Sequence, residues 1–327
     1  MKFRTEIPPL KSERPIDHDD LILSLGSCFA EHMVEKLNAF KFNVIHNPFG
    51  TTYNPLSLAD QLNAIRTART YDVVDLEKAN SQWFSFDHHG SYSDSTAALT
   101  LQKIDADLSE ASSSTGYYTW TILSLGTAWA WFVENKVVNN CHQLPESHFD
   151  FRMLEIDEMF EALQNAMEKW NEQNPENVFI LTVSPVRHLR NGMVDNNRSK
   201  ARLIELAHLL TEHVSNSLYY PSYEMVMDDL RDYRFYDASL THPSSEAIEY
   251  IWEHFSNTFF TSHTMEMMKA YEGFRKALWH KPRQTSGAAF EGHLQSLDKK
   301  FMAWMQRWPE ADWTPEKLRW NELLKLR

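Results

Sequence analysis

The stretch that decides the fold is Leu21–Ala30, LILSLGSCFA, followed at once by EHMVEKLNAF. An apolar run stops at Gly26, and beyond it Phe29, Met33, Val34 and Leu37 recur at helical spacing. A short apolar run that ends at glycine predicts a buried parallel strand turning directly into a helix. Ser27 and Cys28 occupy that turn. Two readings of the pair are open: a nucleophile, or small residues filling a tight turn. Cys28 falls at the head of the helix, where backbone N–H groups and the helix dipole favour negative charge. Ser27 lacks that advantage but is open to activation by an imidazole.

The same alternation continues outward. KFNVIHNPFG (41–50) reads as a second strand running into a Pro/Gly loop, and SLADQLNAIRTA (57–68) as a helix with Ser57 as its N-cap. QWFSFDHHGSYSD (82–94) alternates aromatic and polar residues, as a strand or ordered loop would, and AALTLQKIDADLSEA (97–111) is helical. YYTWTILSLGTAWAWF (117–132) is a strand signal that again meets a glycine, and ENKVVNN (134–140) reads as a hairpin turn. An amphipathic helix at 156–173, the buried strand NVFILTVSPVRH, a helix around 197–214 and a short strand at LYYPSYEMV follow. HPSSEAIEYIWEHFSNTFF reads as a helix with Pro243 at its start, where a missing N–H is harmless. About five short strands alternating with helices predict an α/β fold with a doubly wound parallel sheet. From about residue 262 only helical patterns remain. The expected division is an arm at 1–19, an α/β domain at 20–261 and a helical extension at 262–327.

Composition narrows the function classes. The 327 residues are 43% hydrophobic, with 9 Gly and 13 Pro, which suits a large core and excludes a fibrous or disordered chain. The net charge is −13, and no basic block is long enough to track a phosphate backbone, so nucleic acid is not an expected partner. Two cysteines suit a reducing compartment, no apolar stretch reaches the ~20 residues of a membrane span, and the first residues carry no apolar leader. The expectation is a cytoplasmic protein without a membrane partner. The Trp- and Met-rich C-terminal helices are a candidate surface for homo-oligomer formation and equally an intramolecular cap.

In open α/β sheets the reactive groups gather at the carboxyl ends of the strands. Those ends carry Gly26-Ser27-Cys28, Asn47–Gly50, Gly126-Thr127 and Ser184–His188 with Arg187. YDASLTHPS places His242 before the last helix of the domain, with Asp237 five residues upstream to orient it. Asp228, Asp229 and Asp232 are further acids in reach by sequence. Cys141 and His142 are sequence neighbours, which point to different sides of a strand, and His88 and His89 lack partners at ligand spacing, so no metal and no cofactor is expected. GxxxxGK[ST], GxGxxG, HExxH and GxSxG are all absent.

The ordered blocks LGSCFAEHM, NPFGTTYNPLSLA, WFSFDHHGSYSD, LGTAWAW, NCHQLP, LTVSPVRHLRNGMVDNNRSKARL, YYPSYEMVMDDLRDYRFY and HPSSEAIEYIW resemble the GSCFA family over about residues 20–260. Through that family the chain is similar to the SGNH (GDSL-like) hydrolases, esterases and acyltransferases on a flavodoxin-like sheet. The resemblance implies a nucleophile at Cys28 by position, or at Ser27 by chemistry, with His242 as base. It implies an oxyanion N–H at Gly50. Ala128 stands where that superfamily has an asparagine, which leaves Asn54 or Asn140 as substitute donors, and Gly126, Arg187 and His188 as further binding residues. Ser239 stands three residues before His242 where the triad acid is expected, so Asp237 takes that place. The implied substrate is a small-molecule or carbohydrate-linked acyl ester. The departures at Ala128 and Ser239 keep open a second class: a non-catalytic ligand-binding module on the same fold.

Overall fold

The computed structural model describes residues 4–282 and 285–326. In chain order its strands are β1 (Leu21–Gly26), β2 (Asn43–His46), β3 (Glu77–Ala79), β4 (Gln82–Phe84), β5 (Tyr118–Leu125), β6 (Trp129–Val133), β7 (Lys136–Val138), β8 (Asp150–Met153), β9 (Val178–Val183) and β10 (Ser217–Tyr220). The helices are α1 (Cys28–Ala39), α2 (Pro55–Arg66), α3 (Ala97–Ser113), α4 (Ile156–Gln173), α5 (Gly192–His213), α6 (Ser222–Glu224), α7 (Ser245–Phe259), α8 (Ser262–Trp279), α9 (Ala288–Arg307) and α10 (Thr314–Leu324). α6 runs straight into a π-helical turn at Met225–Leu230.

The chain divides into two compact units. The first holds Leu21–Val34 and Val44–His254 with the segment up to Pro8; the second holds Pro9–Asp20, Glu35–Asn43 and the chain from Phe255 onward.

The first unit is built on a five-stranded sheet in the order β2-β1-β5-β9-β10. Counted within the sheet this is 2-1-3-4-5, the flavodoxin-like order of a doubly wound fold, as the alternation of strands and helices predicts. The β1–β5, β5–β9 and β9–β10 pairings are parallel, with Gly26 opposite Ser124 and Leu125 opposite Val183. The strand ends therefore stand side by side. β1, β5 and β9 bury residues of both parities: Leu23, Leu123 and Leu181 join a core completed by α2 to α5, and Ile22, Trp120 and Ile180 are buried too. That two-sided burial is why these strands read as unbroken apolar runs. Two small antiparallel sheets, β3-β4 and β7-β6-β8, interrupt the winding.

Two local expectations are corrected. Asn54, not Ser57, caps α2: its Oδ1 accepts the N–H of Ser57 at 2.9 Å, and Pro55 opens the helix. α7 begins at Ser245, because Pro243 is bridged to Tyr236 and Ser244 Oγ accepts the N–H of Ala247.

The second unit is helical around Tyr271, Phe274, Leu294, Phe301, Trp308 and Trp313. Lys41 and Glu316 form a buried ion pair at 2.9 Å inside it, and Tyr271 donates to the same carboxylate at 2.9 Å. Among the described residues no helix is long and apolar enough to cross a membrane.

Candidate active site

β1 ends at Gly26 with φ +136°, and a Cβ there would lie 2.3 Å from the carbonyl oxygen of Ser124. Only glycine lets the chain pass this close to β5 and turn into α1. The Asn47 side chain grips the turn from β2: its Oδ1 accepts the N–H of Gly26 at 2.8 Å and its Nδ2 donates to the Gly26 carbonyl at 3.1 Å. The two residues after the glycine then face different ways. Ser27 is 1% exposed, and its hydroxyl pairs with that of Ser124 at 2.9 Å. Cys28 is half-buried, and its Sγ lies 3.2 Å from the Tyr53 hydroxyl. At the head of α1 the N–H of Ala30 donates to the Ser27 carbonyl at 2.8 Å, and the N–H groups of Cys28 and Phe29 precede the helix's own bonding pattern.

Tyr53 is the residue that sequence reasoning missed. Its carbonyl accepts the N–H groups of both Gly126 and Thr127 at 2.9 Å, which fastens it to the end of β5. Burial, then the hydrogen bond with Cys28, pushes its phenol pKa up, so it stays a neutral donor. Its ring meets the edge of His188, with centroids 5.2 Å apart. Burial, then the charges of Lys200 and His242, push the His188 imidazole down to about 3. Tyr53 thus links Cys28 to His188 at the strand ends, and the charge of His242 reaches His188.

His242 closes a tight loop. The N–H of Asp237 donates to the His242 carbonyl at 2.9 Å, and the loop is clamped from β9 by Arg187, whose N–H reaches the Thr241 carbonyl and whose Nη1 reaches the Leu240 carbonyl at 3.3 Å. The Arg187 guanidinium lies 4.1 Å above the Tyr236 ring. His242 Nδ1 faces Thr241 Oγ1 at 3.0 Å, Ser239 Oγ at 3.4 Å and Asp237 Oδ2 at 3.9 Å. Ser239 Oγ in turn donates to Asp237 Oδ1 at 2.5 Å. An oxygen-rich surround of this kind favours the proton on Nδ1 and leaves Nε2 as the acceptor.

The other candidates are occupied. The N–H of Gly50 donates to the Asn47 carbonyl, and a Cβ on Gly50 would lie 2.2 Å from that of His89. Gly126 has its N–H on Tyr53, as above. Asn54 is the α2 cap, and Asn140 Oδ1 accepts the N–H of His142. Asp229 bonds Tyr250 and faces Arg4 at 3.4 Å. Burial raises the Cys141 thiol to about 11, while His142 stacks on Phe84 and faces the Ser85 carbonyl. Among the described residues no group of three or more His, Cys, Asp or Glu is arranged to hold a metal ion.

Lys200 was also missed. It is 1% exposed, and its Nζ donates to the carbonyls of Gly126 at 2.6 Å and Ser184 at 2.7 Å, tying the ends of β5 and β9 together. Burial pushes its pKa down to about 7. A signal was present: Asn196, Ser199, Lys200, Leu203, Leu206, Ala207 and Leu210 form the buried stripe of α5, so the lysine falls on the wrong face for a solvated charge.

A flavodoxin-like sheet with a Gly-Ser-Cys turn at its first strand end and a histidine loop before its last helix defines the class of protein. The chain belongs to the GSCFA family, whose model matches residues 21–255. Comparison with curated proteins gives no match. Among solved structures, a carbohydrate esterase family 3 from Talaromyces cellulolyticus is similar at 8% identity, covering 77% of this chain and 99% of that chain, with a TM-score of 0.34. At that identity and score the likeness carries nothing about substrate or site.

Proposed function

We propose that the protein transfers or hydrolyses acyl groups, with Cys28 as nucleophile and His242 as general base. The observation that carries this reading is the outward Cys28 Sγ at the head of α1, 3.2 Å from the Tyr53 hydroxyl, while Ser27 is turned inward onto Ser124. His242 Nε2 takes the thiol proton as Sγ attacks the acyl carbon. The oxyanion that forms accepts from the leading N–H groups of α1 and from the Tyr53 hydroxyl. Tyr53 replaces the donor that Ala128 cannot supply. His242 then returns the proton to the departing alcohol, leaving a thioester on Cys28. Water or a second hydroxyl resolves the thioester, with the proton again passing through His242. Asp237, directly and through Ser239, orients the imidazole. His188 is a poor alternative base, because a pKa of about 3 leaves it little affinity for a proton at neutral pH.

The test is turnover of short-chain aryl esters together with labelling by a thiol-directed probe. Cys28→Ala is expected to abolish both. His242→Ala should lower kcat by ~10²–10⁴, and Tyr53→Phe by ~10²–10³ while labelling persists. Ser27→Ala should alter stability more than rate. Loss of turnover in Ser27→Ala with retention in Cys28→Ala would overturn the assignment. No turnover and no labelling in the wild type would favour the non-catalytic binding module.

A further inference from the structure

An open groove of about 830 Å³ lies beside the nucleophile turn, in the first unit. It is far larger than an acetyl group needs and falls in the range of small-molecule sites. Its floor is the end of β2 and the side of α1. Glu31 follows Cys28 by three residues on α1, so it stands about one turn along the same side of the helix. Its carboxylate is held by the Thr51 hydroxyl. His46 is fixed on both ring nitrogens, by the Ser24 carbonyl at 3.2 Å and Asn47 Nδ2 at 3.1 Å. Nδ1 must donate to a carbonyl, so Nε2 accepts and the ring is neutral; burial lowers its pKa in the same sense. The same Asn47 holds Gly26, so groove and nucleophile turn share one support.

The far wall is a second face of α3. Its core face is Thr100, Ile104, Leu108 and Ala111. Leu99, Gln102, Lys103, Ala106 and Asp107 repeat at helical spacing and line the groove instead. Asp107 is anchored by the Tyr92 hydroxyl at 2.5 Å, and Lys103 is paired with Asp94 at 3.0 Å. Gln102 makes no hydrogen bond among the described residues. The groove therefore offers two held carboxylates and a free amide, set in a lining that is mostly apolar. Two carboxylates, with Lys103 already paired to Asp94, repel a phosphate or carboxylate ligand, and the mostly apolar lining gives the C–H faces of a ligand a surface to pack on while leaving an alkyl chain as the rival occupant. Hydroxyl groups, which donate to the carboxylates and accept from the amide, satisfy the groove's polar groups.

We infer that this groove binds a neutral, hydroxyl-rich molecule of monosaccharide size or larger, the alcohol half of the ester whose acyl group meets Cys28. Its role as the alcohol half rests on the reaction proposed above; its binding does not. Binding is therefore measured on the full chain carrying Cys28→Ala, which removes turnover. The probes are methyl glucoside, methyl xyloside and N-acetylglucosamine, against glucose 6-phosphate and octanol, by titration calorimetry. At least one neutral sugar is expected to bind. Ala106→Trp in the same background should weaken it about tenfold or more, and Gln102→Ala, which adds no bulk, about three- to tenfold for one lost hydrogen bond. In protein with Cys28 intact, the kcat/KM ratio of acetylated methyl glucoside to 4-nitrophenyl acetate should fall with both variants. Binding of no neutral sugar, preference for glucose 6-phosphate or octanol, or sugar binding indifferent to both variants would overturn the inference. Sugar binding that responds to the variants, without ester turnover in the wild type, leaves the groove assignment standing and removes the hydrolase reading.

Discussion

Two buried lysines, one in each unit, are handled in opposite ways. Lys41 sits against the Glu316 carboxylate at 2.9 Å and under the face of Trp313 at 4.7 Å. Lys200 meets only two backbone carbonyls, and among the described residues no carboxylate pairs with it. The first is a charge neutralised where it is buried and shared with Tyr271, in a unit whose core is otherwise aromatic. The second is an amine whose burial pushes its pKa to about 7, placed at the ends of β5 and β9 and near enough to depress His188. The difference teaches where each unit holds its strain. The helical unit satisfies its charge locally, while the sheet unit keeps a barely tolerated amine at the strand ends, within reach of His188.

Three experiments sharpen or break that contrast, from the largest effect to the smallest. Glu316→Gln leaves Lys41 without its counter-charge and should cost about 3–5 kcal/mol, read by urea unfolding. A cost near zero would show that the pair is not what holds Lys41. Lys200→Met frees two buried carbonyls and should cost about 2–3 kcal/mol. Its sharper signature is in pH. The folded pKa of about 7 lies below that of the unfolded chain, so between the two values the unfolded state binds more protons. Wild-type stability should therefore climb as pH rises from about 7 towards about 10, and fall as pH drops through about 7. That slope should flatten in Lys200→Met; a slope unchanged in the variant would mean that Lys200 is not its source.

The smallest effect concerns His88, fully buried and stacked on Phe49 at 4.7 Å, with neither ring nitrogen hydrogen-bonded among the described residues. Burial holds its pKa down to about 3. His88→Phe removes two unsatisfied polar atoms with little change of volume and should stabilise by about 1 kcal/mol. The folded pKa is depressed, so the wild type keeps its stability above the unfolded histidine pKa and loses it as pH falls from about 6.5 towards 3. The advantage of the phenylalanine should widen over that window. A variant less stable than wild type at pH 5 would show that His88 has a partner that Phe removes.

The legible part of the site was the part carried by local chain geometry. Gly26-Ser27-Cys28 was readable because a glycine between an apolar run and a helical pattern can only be a strand-to-helix turn. Gly50 and Gly126 were readable as special positions, but their reason was not. Both N–H groups are spent within the loops, and Gly126 is glycine because Tyr53 passes within 3.1 Å of where its Cβ would be. Tyr53 carried no local signal. It looks like any aromatic in a Pro/Gly loop until the loop is laid against the end of β5. Ser27 and Cys28 could not be told apart either, since neighbours at a helix start differ only in which way the turn rotates them.

By itself the sequence determined the alternation of the five strands of the main sheet with helices, the glycine turn at residue 26, the helical nature of the chain beyond about residue 262 and the resemblance to a family. Those follow from periodicity and from backbone conformations that few residues can adopt, which are local properties. Only the tertiary structure decided that Ser27 points inward and Cys28 outward, that Tyr53 rather than an asparagine stands over the thiol, and that Lys200 ties two strand ends. Each of these depends on which segments parallel pairing brings together from far apart in the chain. Side-chain direction is set there by packing against those distant partners, and no local pattern encodes it.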